Sequence, residues 1–567
     1  MRPVRGFVAL AVLVSLTVGP GQAAAADPRA VMGSGGAVAS AELEASRAGV
    51  EVLAAGGNAA DAAVATALAL AVVHPQAGNL GGGGFAVSRF GGRVTALDFR
   101  ETAPAAALPD MYLDERGQPI PERSLIGPLA AGVPGSPAGL FELHAAHGRL
   151  PWPRVVEPAI RLADGFRVSR RLSSDLAEER ELLARFPSSA ALWLPGGRPV
   201  AAGELVALPE LAATLRDYAS AGPAAISQGQ RAAAIEAASR ANGGILSAAD
   251  LAAYRAVWRE AVRFEAFGWE VASMPPPSSG GIILGQTCGI LERTGWASLP
   301  RSGARRAHQL AEAWRRSFAD RFLLGDPDRI GFDGSPLLAA SWLDLRAGQL
   351  RERATRSRKV RSWSEAAGRE RGETTHLSVV DADGNAVSMT TTLNGSFGCG
   401  LTVDGAGFLL NNEMDDFSAA PGRPNFYGLV QGEANAIAPG KRMLSSMSPT
   451  ICWRGDELLV LGSPGGPRIP TATVQVLLNV VADGDELQAA VNRPRIHHQW
   501  LPDAIFVEPD ALAPETAAEL ERRGHELRGI TAIGDVAAVR RAADGGVAAA
   551  ADPRGGGAAV VQHPAPD

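Results

Sequence analysis

The stretch Gly372-Glu373-Thr374-Thr375-His376-Leu377-Ser378-Val379-Val380 sets a threonine at the junction between a charged, irregular run and a strand. If the Glu373–Thr374 bond breaks, Thr374 gains a free α-amino group beside its hydroxyl. Such an amine has a pKa of about 7.7–8.0, so near neutral pH it can act as general base for its own Oγ. One residue then supplies nucleophile and base, the requirement for covalent acyl transfer. The glycines of Gly462-Ser463-Pro464-Gly465-Gly466 would let a backbone approach closely, and a Gly-Gly pair by itself reads as a turn. Asp98-Phe99-Arg100-Glu101 is a charged exit from an apolar strand. Glu413 and Asp416, three apart beside Asp415, read by themselves as a solvated loop.

These residues need a scaffold. Ala41 to Ala55 reads as a helix stopped by Gly56-Gly57-Asn58, and Asp61 to Val73 as a second, buried one. Phe85 to Phe99 alternates as two strands about Gly91-Gly92. Gly81 to Gly84 lacks the Lys-Ser/Thr of a phosphate loop, so close backbone packing is the expected use. From about Leu140 to Leu350 the pattern is helical, with turns at Pro195-Gly196-Gly197 and Pro275 to Gly281. Arg351 to Glu373 is charged and aperiodic, read as a solvated, mobile connector. Beyond it, His376–Val380 and Ala386–Thr392 form a hairpin on Asp383-Gly384. Gly407–Leu410, Leu458–Leu461, Ala504–Val507 and Val536–Arg540 are further strands, and Ala472–Val481 is a helix.

Composition bounds the partners. The chain has 567 residues, 46% hydrophobic and 20% charged, with a net charge of -6, which lacks the basic face a nucleic-acid partner requires. Arg2 and Arg5, the apolar run Phe7–Val18 and Ala23 to Ala26 read as a signal peptide over residues 1–26. The run is shorter than the ~20 residues a bilayer span needs. Export to the periplasm or beyond is the expectation, with no stable membrane span. Cys288, Cys399 and Cys452 are an odd set for an exported protein, so at least one is free or paired between chains. His497-His498 has no further ligand at metal spacing and reads as structural.

Taken in order, several motifs resemble the γ-glutamyltranspeptidase (glutathione hydrolase) family of N-terminal-nucleophile hydrolases. They are Gly56 to Ala63, Gly81 to Phe85, Asp98-Phe99-Arg100-Glu101, Thr374-Thr375-His376, Leu410 to Phe417, Ser445 to Thr450 and Gly462 to Gly466. The resemblance implies an α+β fold, a four-layer αββα sandwich shared by two subunits from one self-cleaved precursor. It makes Thr374 the nucleophile, Thr392 its orienting partner, and Gly465 and Gly466 the oxyanion donors. Arg100, Ser445 and Ser446 would hold the substrate's α-carboxylate; Asn394, Glu413 and Asp416 its α-ammonium. Tyr427, in Pro424-Asn425-Phe426-Tyr427-Gly428, would cover the bound group as a lid. Some bacterial relatives carry glutamine where Glu413 stands, a change expected to tighten ammonium binding here. No cofactor or metal is implied.

The implied reaction cleaves glutathione and other γ-glutamyl amides through a γ-glutamyl-threonine ester, resolved by water or by amino-acid and dipeptide acceptors. Two rivals remain: a glutaryl or cephalosporin-type acylase of the same fold, and a non-catalytic periplasmic amino-acid-binding protein. The acylase reading leaves Glu413 and Asp416 unpaired before a substrate lacking the ammonium. The binding-protein reading needs no cut. Denaturing electrophoresis therefore separates it from the others: fragments 27–373 and 374–567, the smaller beginning Thr-Thr-His-Leu, are expected, and a permanently single band would favour the binding protein.

Overall fold

A computed structural model describes residues 30–360, 374–418 and 431–562. The expected signal peptide, Glu373 of the expected cleavage site, and Tyr427 lie outside the described residues.

Two seven-stranded sheets, antiparallel throughout, form the centre. One runs Ala558–Val561, Ala37–Ser40, Thr374–Val380, Ala386–Thr392, Gly83–Phe90, Arg93–Phe99, Val257–Arg259. The other runs Val31–Gly33, Val547–Ala551, Ala537–Arg541, Glu457–Gly462, Thr450–Arg454, Trp269–Ser273, Val262–Ala266. Both draw strands from either side of residue 373. Strand alternation assigns the layers, because successive side chains face opposite ways. Ala37, Ala39, Phe85 and Val87 meet Ile451, Leu458, Val460 and Val539 between the sheets. Val38, Ala86, Val379 and Val387 face outward under one helical layer. Val271, Leu459, Leu461 and Ala538 face outward under the other. With both faces covered, this is the αββα sandwich expected from the sequence.

The first helical layer opens with Leu43–Ala54 and Ala59–Val73. The second helix is buried along its whole length. Small side chains let the pair approach: a Cβ at Gly49 would lie 2.3 Å from Thr66 Oγ1. Its start is a reciprocal cap. Asn58 Oδ1 accepts from the N–H groups of Ala60 and Asp61, and Asp61 Oδ2 accepts from Asn58 N at 2.9 Å. Asp61 also accepts from Arg149 N and Leu150 N, while Asp381, in the hairpin after Thr374, accepts from Ala59 N at 3.0 Å. The opposite layer is built on Gly280–Arg293, Ala304–Asp320 and Arg468–Val481. Among the described residues no helix is long and apolar enough to cross a membrane.

The glycine run behaves as expected. A Cβ at Gly81, Gly82 or Gly84 would fall 1.9, 2.1 and 2.4 Å from the carbonyl oxygens of Leu409, Thr392 and Thr390. Three expectations need correction. Val262–Ala266 and Trp269–Ser273 are strands inside the segment read as helical; they are short and joined by Phe267-Gly268, both at positive φ. Gly407–Leu410 forms only an isolated bridge, Leu409 to Thr402. The connector is not solvated throughout: Ser357 N donates to Asp503 Oδ2 at 2.7 Å, Trp500 Nε1 donates to Ser357 O at 2.9 Å, and Ser357 and Val360 are buried. Its arginines misled; the serine between them is the anchor.

Asp61→Ala strips three backbone donors of one buried acceptor. A stability loss of about 2 kcal/mol or more is expected, read as a lower denaturant midpoint at unchanged slope.

Candidate active site

Register places the nucleophile candidate. Thr374 and Thr392 are direct partners across the hairpin, their Oγ atoms 3.4 Å apart. Both face the space between the sheets. Two and four residues along that face, His376 Nδ1 bonds Thr390 Oγ1 at 2.8 Å and Ser378 Oγ donates to Ala537 O of the other sheet. A Cβ at Gly462 would sit 2.3 Å from the His376 ring, so the sheets close to contact there. Burial pushes His376 down to about 3, leaving it a neutral spacer. Thr392 Oγ1 accepts from Asn394 N at 2.8 Å. Asn394 adopts a left-handed backbone, φ 74°, and its amide donates to Asn412 O at 3.0 Å.

The Gly462–Pro467 loop leads from a strand into the helix Arg468–Val481. Gly465 and Gly466 have φ of 120° and 56°, a region that favours glycine. Their carbonyls accept from Arg468 N and Ile469 N, both at 3.1 Å, closing the first helical turn. The donor ends thus sit at a helix N-terminus, where the dipole favours negative charge.

Arg100 follows the strand Arg93–Phe99 and is wholly buried. Its guanidinium donates to Glu413 Oε1, and to Asp416 Oδ2 at 2.5 Å. The resemblance implied an acid pair opposite an arginine, and the three side chains are in contact. Burial works against the charge on Arg100, but Glu413, Asp416 and Glu101 outweigh it. Burial likewise pushes Glu413 well above the ordinary carboxylate range and raises Asp416, with Arg100 opposing in each case. Ser445 and Ser446 are held beside them: Ser445 N donates to Pro277 O at 2.7 Å, Ser445 O accepts from Ser279, and Ser446 O accepts from Ser448 Oγ.

One small cavity of about 20 Å³ is lined by Thr374, Thr392, Asn394, Arg100, Glu413, Asp416, Ser445, Ser446 and Gly466. Gly465 faces a larger neighbouring cleft instead. Two charged residues had no assigned role in the sequence reading. Arg321 lines the cavity; its Nε donates to Ser279 Oγ at 3.0 Å, and burial lowers it to about 10. It ends an arginine-rich helix, where nothing in the spacing marks it. Glu101 is completely buried, 3.7 Å from Arg100 Nη1, and burial raises it to about 7. With all five groups ionised, three carboxylates would face two guanidiniums. Burying that surplus is costly, which favours a retained proton.

The geometry can bind a zwitterionic head group and present an acyl carbon to Thr374. Residues 45–562 match the model of the family described as Gamma-glutamyltranspeptidase. The glutathione hydrolase proenzyme of Escherichia coli (strain K12) is 44% identical over 525 residues, covering 92% of this chain and 90% of that protein. An acylase ACY 1 proenzyme of Pseudomonas sp. (strain SE83) is 37% identical over 506 residues, covering 87% and 88%. Among solved structures, the cephalosporin acylase from Bacillus halodurans superposes with a TM-score of 0.82 at 26% identity, covering 96% of this chain and 99% of its own.

Since the folded pKa of Glu101 lies above its unfolded value, the stability linked to its proton is full below about pH 4.5 and lost as pH rises through about 7. Glu101→Gln imitates the protonated form. Its melting temperature should nearly match wild type at about pH 5 and exceed it at about pH 8; a constant offset would refute the assignment.

Proposed function

The chain belongs to the gamma-glutamyltranspeptidase family, and from that premise we propose an autoprocessing enzyme that cleaves γ-glutamyl amides, glutathione among them. It passes the γ-glutamyl group to water or to an amino-acid or dipeptide amine. The precursor is cut before Thr374, giving a large and a small subunit that stay together. The observation that carries this reading is a single buried cavity uniting Thr374, the Arg100–Glu413–Asp416 cluster and Gly466.

In this mechanism, Arg100 with Ser445 and Ser446 takes the donor's α-carboxylate; Asn394, Glu413 and Asp416 take its α-ammonium. Binding exchanges one set of ion pairs for another. The ligand's carboxylate replaces acidic side chains on Arg100, and its ammonium replaces the guanidinium on those side chains. These side chains are already buried, so the exchange needs little further desolvation of the protein. Thr374 Oγ attacks the γ-carbonyl carbon, its proton passing to the residue's own α-amine. Charge on the carbonyl oxygen is met by Gly465 and Gly466 N–H groups; one such donor is typically worth about 2.7–4 kcal/mol of barrier. The C–N bond breaks as the leaving nitrogen takes the proton, leaving an ester on Thr374. Water or an amine then attacks that ester, the C–O bond to Thr374 breaks, and the hydroxyl is restored. Thr392 aligns Oγ throughout, and Tyr427 would screen the ester.

The rival within the fold is a glutaryl-type acylase, which the relatives bring within range. Three buried carboxylates beside the head-group position support the γ-glutamyl reading, since a glutaryl chain offers them no ammonium. Release of p-nitroaniline from the γ-glutamyl anilide should exceed that from the glutaryl anilide by at least about tenfold, the worth of one unmet charged hydrogen bond. A preference for glutaryl would overturn the choice. Thr374→Ala should remain a single inactive band, whereas Thr374→Ser should process and keep partial activity.

A further inference from the structure

Arg321 is the one charged group on the nucleophile's cavity to which the reaction gives no task. It follows the helix Ala304–Asp320, in the turn Arg321–Leu323, and is 3% exposed. Its Nε donates to Ser279 Oγ at 3.0 Å. Ser279 in turn gives Ser445 O two bonds, from Oγ at 2.8 Å and from N at 2.9 Å. Two successive hydrogen bonds therefore tie the guanidinium to the backbone of a serine assigned to the α-carboxylate. Its Nη1 is buried and has no hydrogen-bond partner. Arg100 differs, with Nε, Nη1 and Nη2 engaged by Met443 O, Glu413 and Asp416.

At about 20 Å³ the cavity has space for one water, which needs about 10–15 Å³ on that measure. A head group enters only by parting Arg100 from its acids. Once Arg100 turns to the incoming carboxylate, Asp416 meets the ammonium with one guanidinium fewer, and a buried charge stripped of its partner is strongly disfavoured. We propose that Arg321 is a positioning residue for this exchange: the fixed cation that keeps Asp416 charged while Arg100 changes partners and, through Ser279, the tether of Ser445. This role presupposes the γ-glutamyl transfer proposed above. Arg100 and Arg321 are the two arginines whose charge favours the ionised form of Asp416. Burial raises Glu101, Glu413 and Asp416, with Arg100 opposing in each, and acids so close titrate as one group. Asp98 adds to the rise of Glu101 but is itself held by Arg259 at 2.8 Å and Arg442 at 3.4 Å. Without the charge of Arg321, three carboxylates would face one guanidinium, and the cluster would release its protons only at higher pH. A protonated cluster holds an ammonium poorly.

The test uses the processed protein, γ-glutamyl-p-nitroanilide as donor, and two competing ligands: L-glutamate, and glutarate, which lacks the ammonium. Inhibition constants are measured from about pH 6 to about pH 9, across the titration of the cluster. In wild type the constant for L-glutamate should rise as pH falls, and that for glutarate should not. Arg321→Gln keeps a donor for Ser279 but loses the charge. It should move the L-glutamate rise upward by about one pH unit, the low end of what a neighbouring opposite charge does to a carboxyl, so that L-glutamate binds about tenfold more weakly below it. Arg321→Lys should restore the wild-type profile. Ser279→Ala keeps the cation and cuts the tether, so both ligands should weaken about threefold or more at every pH, the worth of one hydrogen bond, with the rise unmoved. An equal loss for both ligands at every pH in Arg321→Gln marks a merely structural part and overturns the proposal. If that variant does not fold, a displaced rise in Arg321→Lys, or unchanged constants in Ser279→Ala, overturns it. Absence of any p-nitroaniline release from wild type overturns the reaction, and this role with it.

Discussion

The pairing of Thr374–Val380 with Ala386–Thr392 fixes where everything else must stand. Thr374 and Thr392 are partners in that register, and both side chains point between the sheets. A slip of one residue would turn every side chain to the other face, sending Thr374 into the helical layer and His376 away from Gly462. The slip is prevented from both sides. Val379 and Val387 belong to one core, Val380 and Ala386 to another, so either face resists inversion. Neighbouring strands Ala37–Ser40 and Gly83–Phe90 hold the pair centrally.

Along the inter-sheet face the chemistry grades from apolar to polar: Val380, Ser378, His376, then Thr374. The sandwich is tightest at His376, where the opposite strand presents a glycine. Beyond it the sheets give way to loops, and those loops carry Asn394, Glu413, Asp416, Ser445 and Gly466. Arg100 links this region to strand and loop alike, its Nε donating to Met443 O while its Nη atoms meet the carboxylates. A buried ion cluster of this kind is poor evidence for stability, since pairing rarely exceeds desolvation. Its value lies in preorganisation: charges already dehydrated and held by backbone need little rearrangement when a charged ligand arrives.

Much of this was legible in the chain. Alternation gave the hairpins, Asn58-x-x-Asp61 the helix start, and the order of motifs the fold. Arg100 was visible as a charged exit from an apolar strand and Thr374 as the start of one, but the site roles of both, and of the acidic pair, came from the ordered motifs and the family they resemble. Arg321 was missed for the opposite reason. It follows Arg315 and Arg316, which are consumed by Glu312, and no spacing distinguishes an arginine that lines a cavity from one that ties a helix. Contact between Arg100 and Glu413 was likewise beyond reach, being separated by 313 positions. The strands Val262–Ala266 and Trp269–Ser273 were hidden by length, since five residues each carry too little alternation to register.

Both sheets interleave strands from before and after residue 373, so neither portion holds a complete hydrophobic layer of its own. Were the chain severed ahead of Thr374, as proposed, parting the pieces would strip the central strand of its partner Ala37–Ser40 and the next strand of Gly83–Phe90. Dissociation and denaturation are then a single event. Fragments of different molecules have no route to change places short of complete unfolding, and because refolding would then need two chains to meet, the stability of the pair depends on concentration. Cutting the backbone leaves a noncovalent pair that behaves, for the life of the fold, as one molecule.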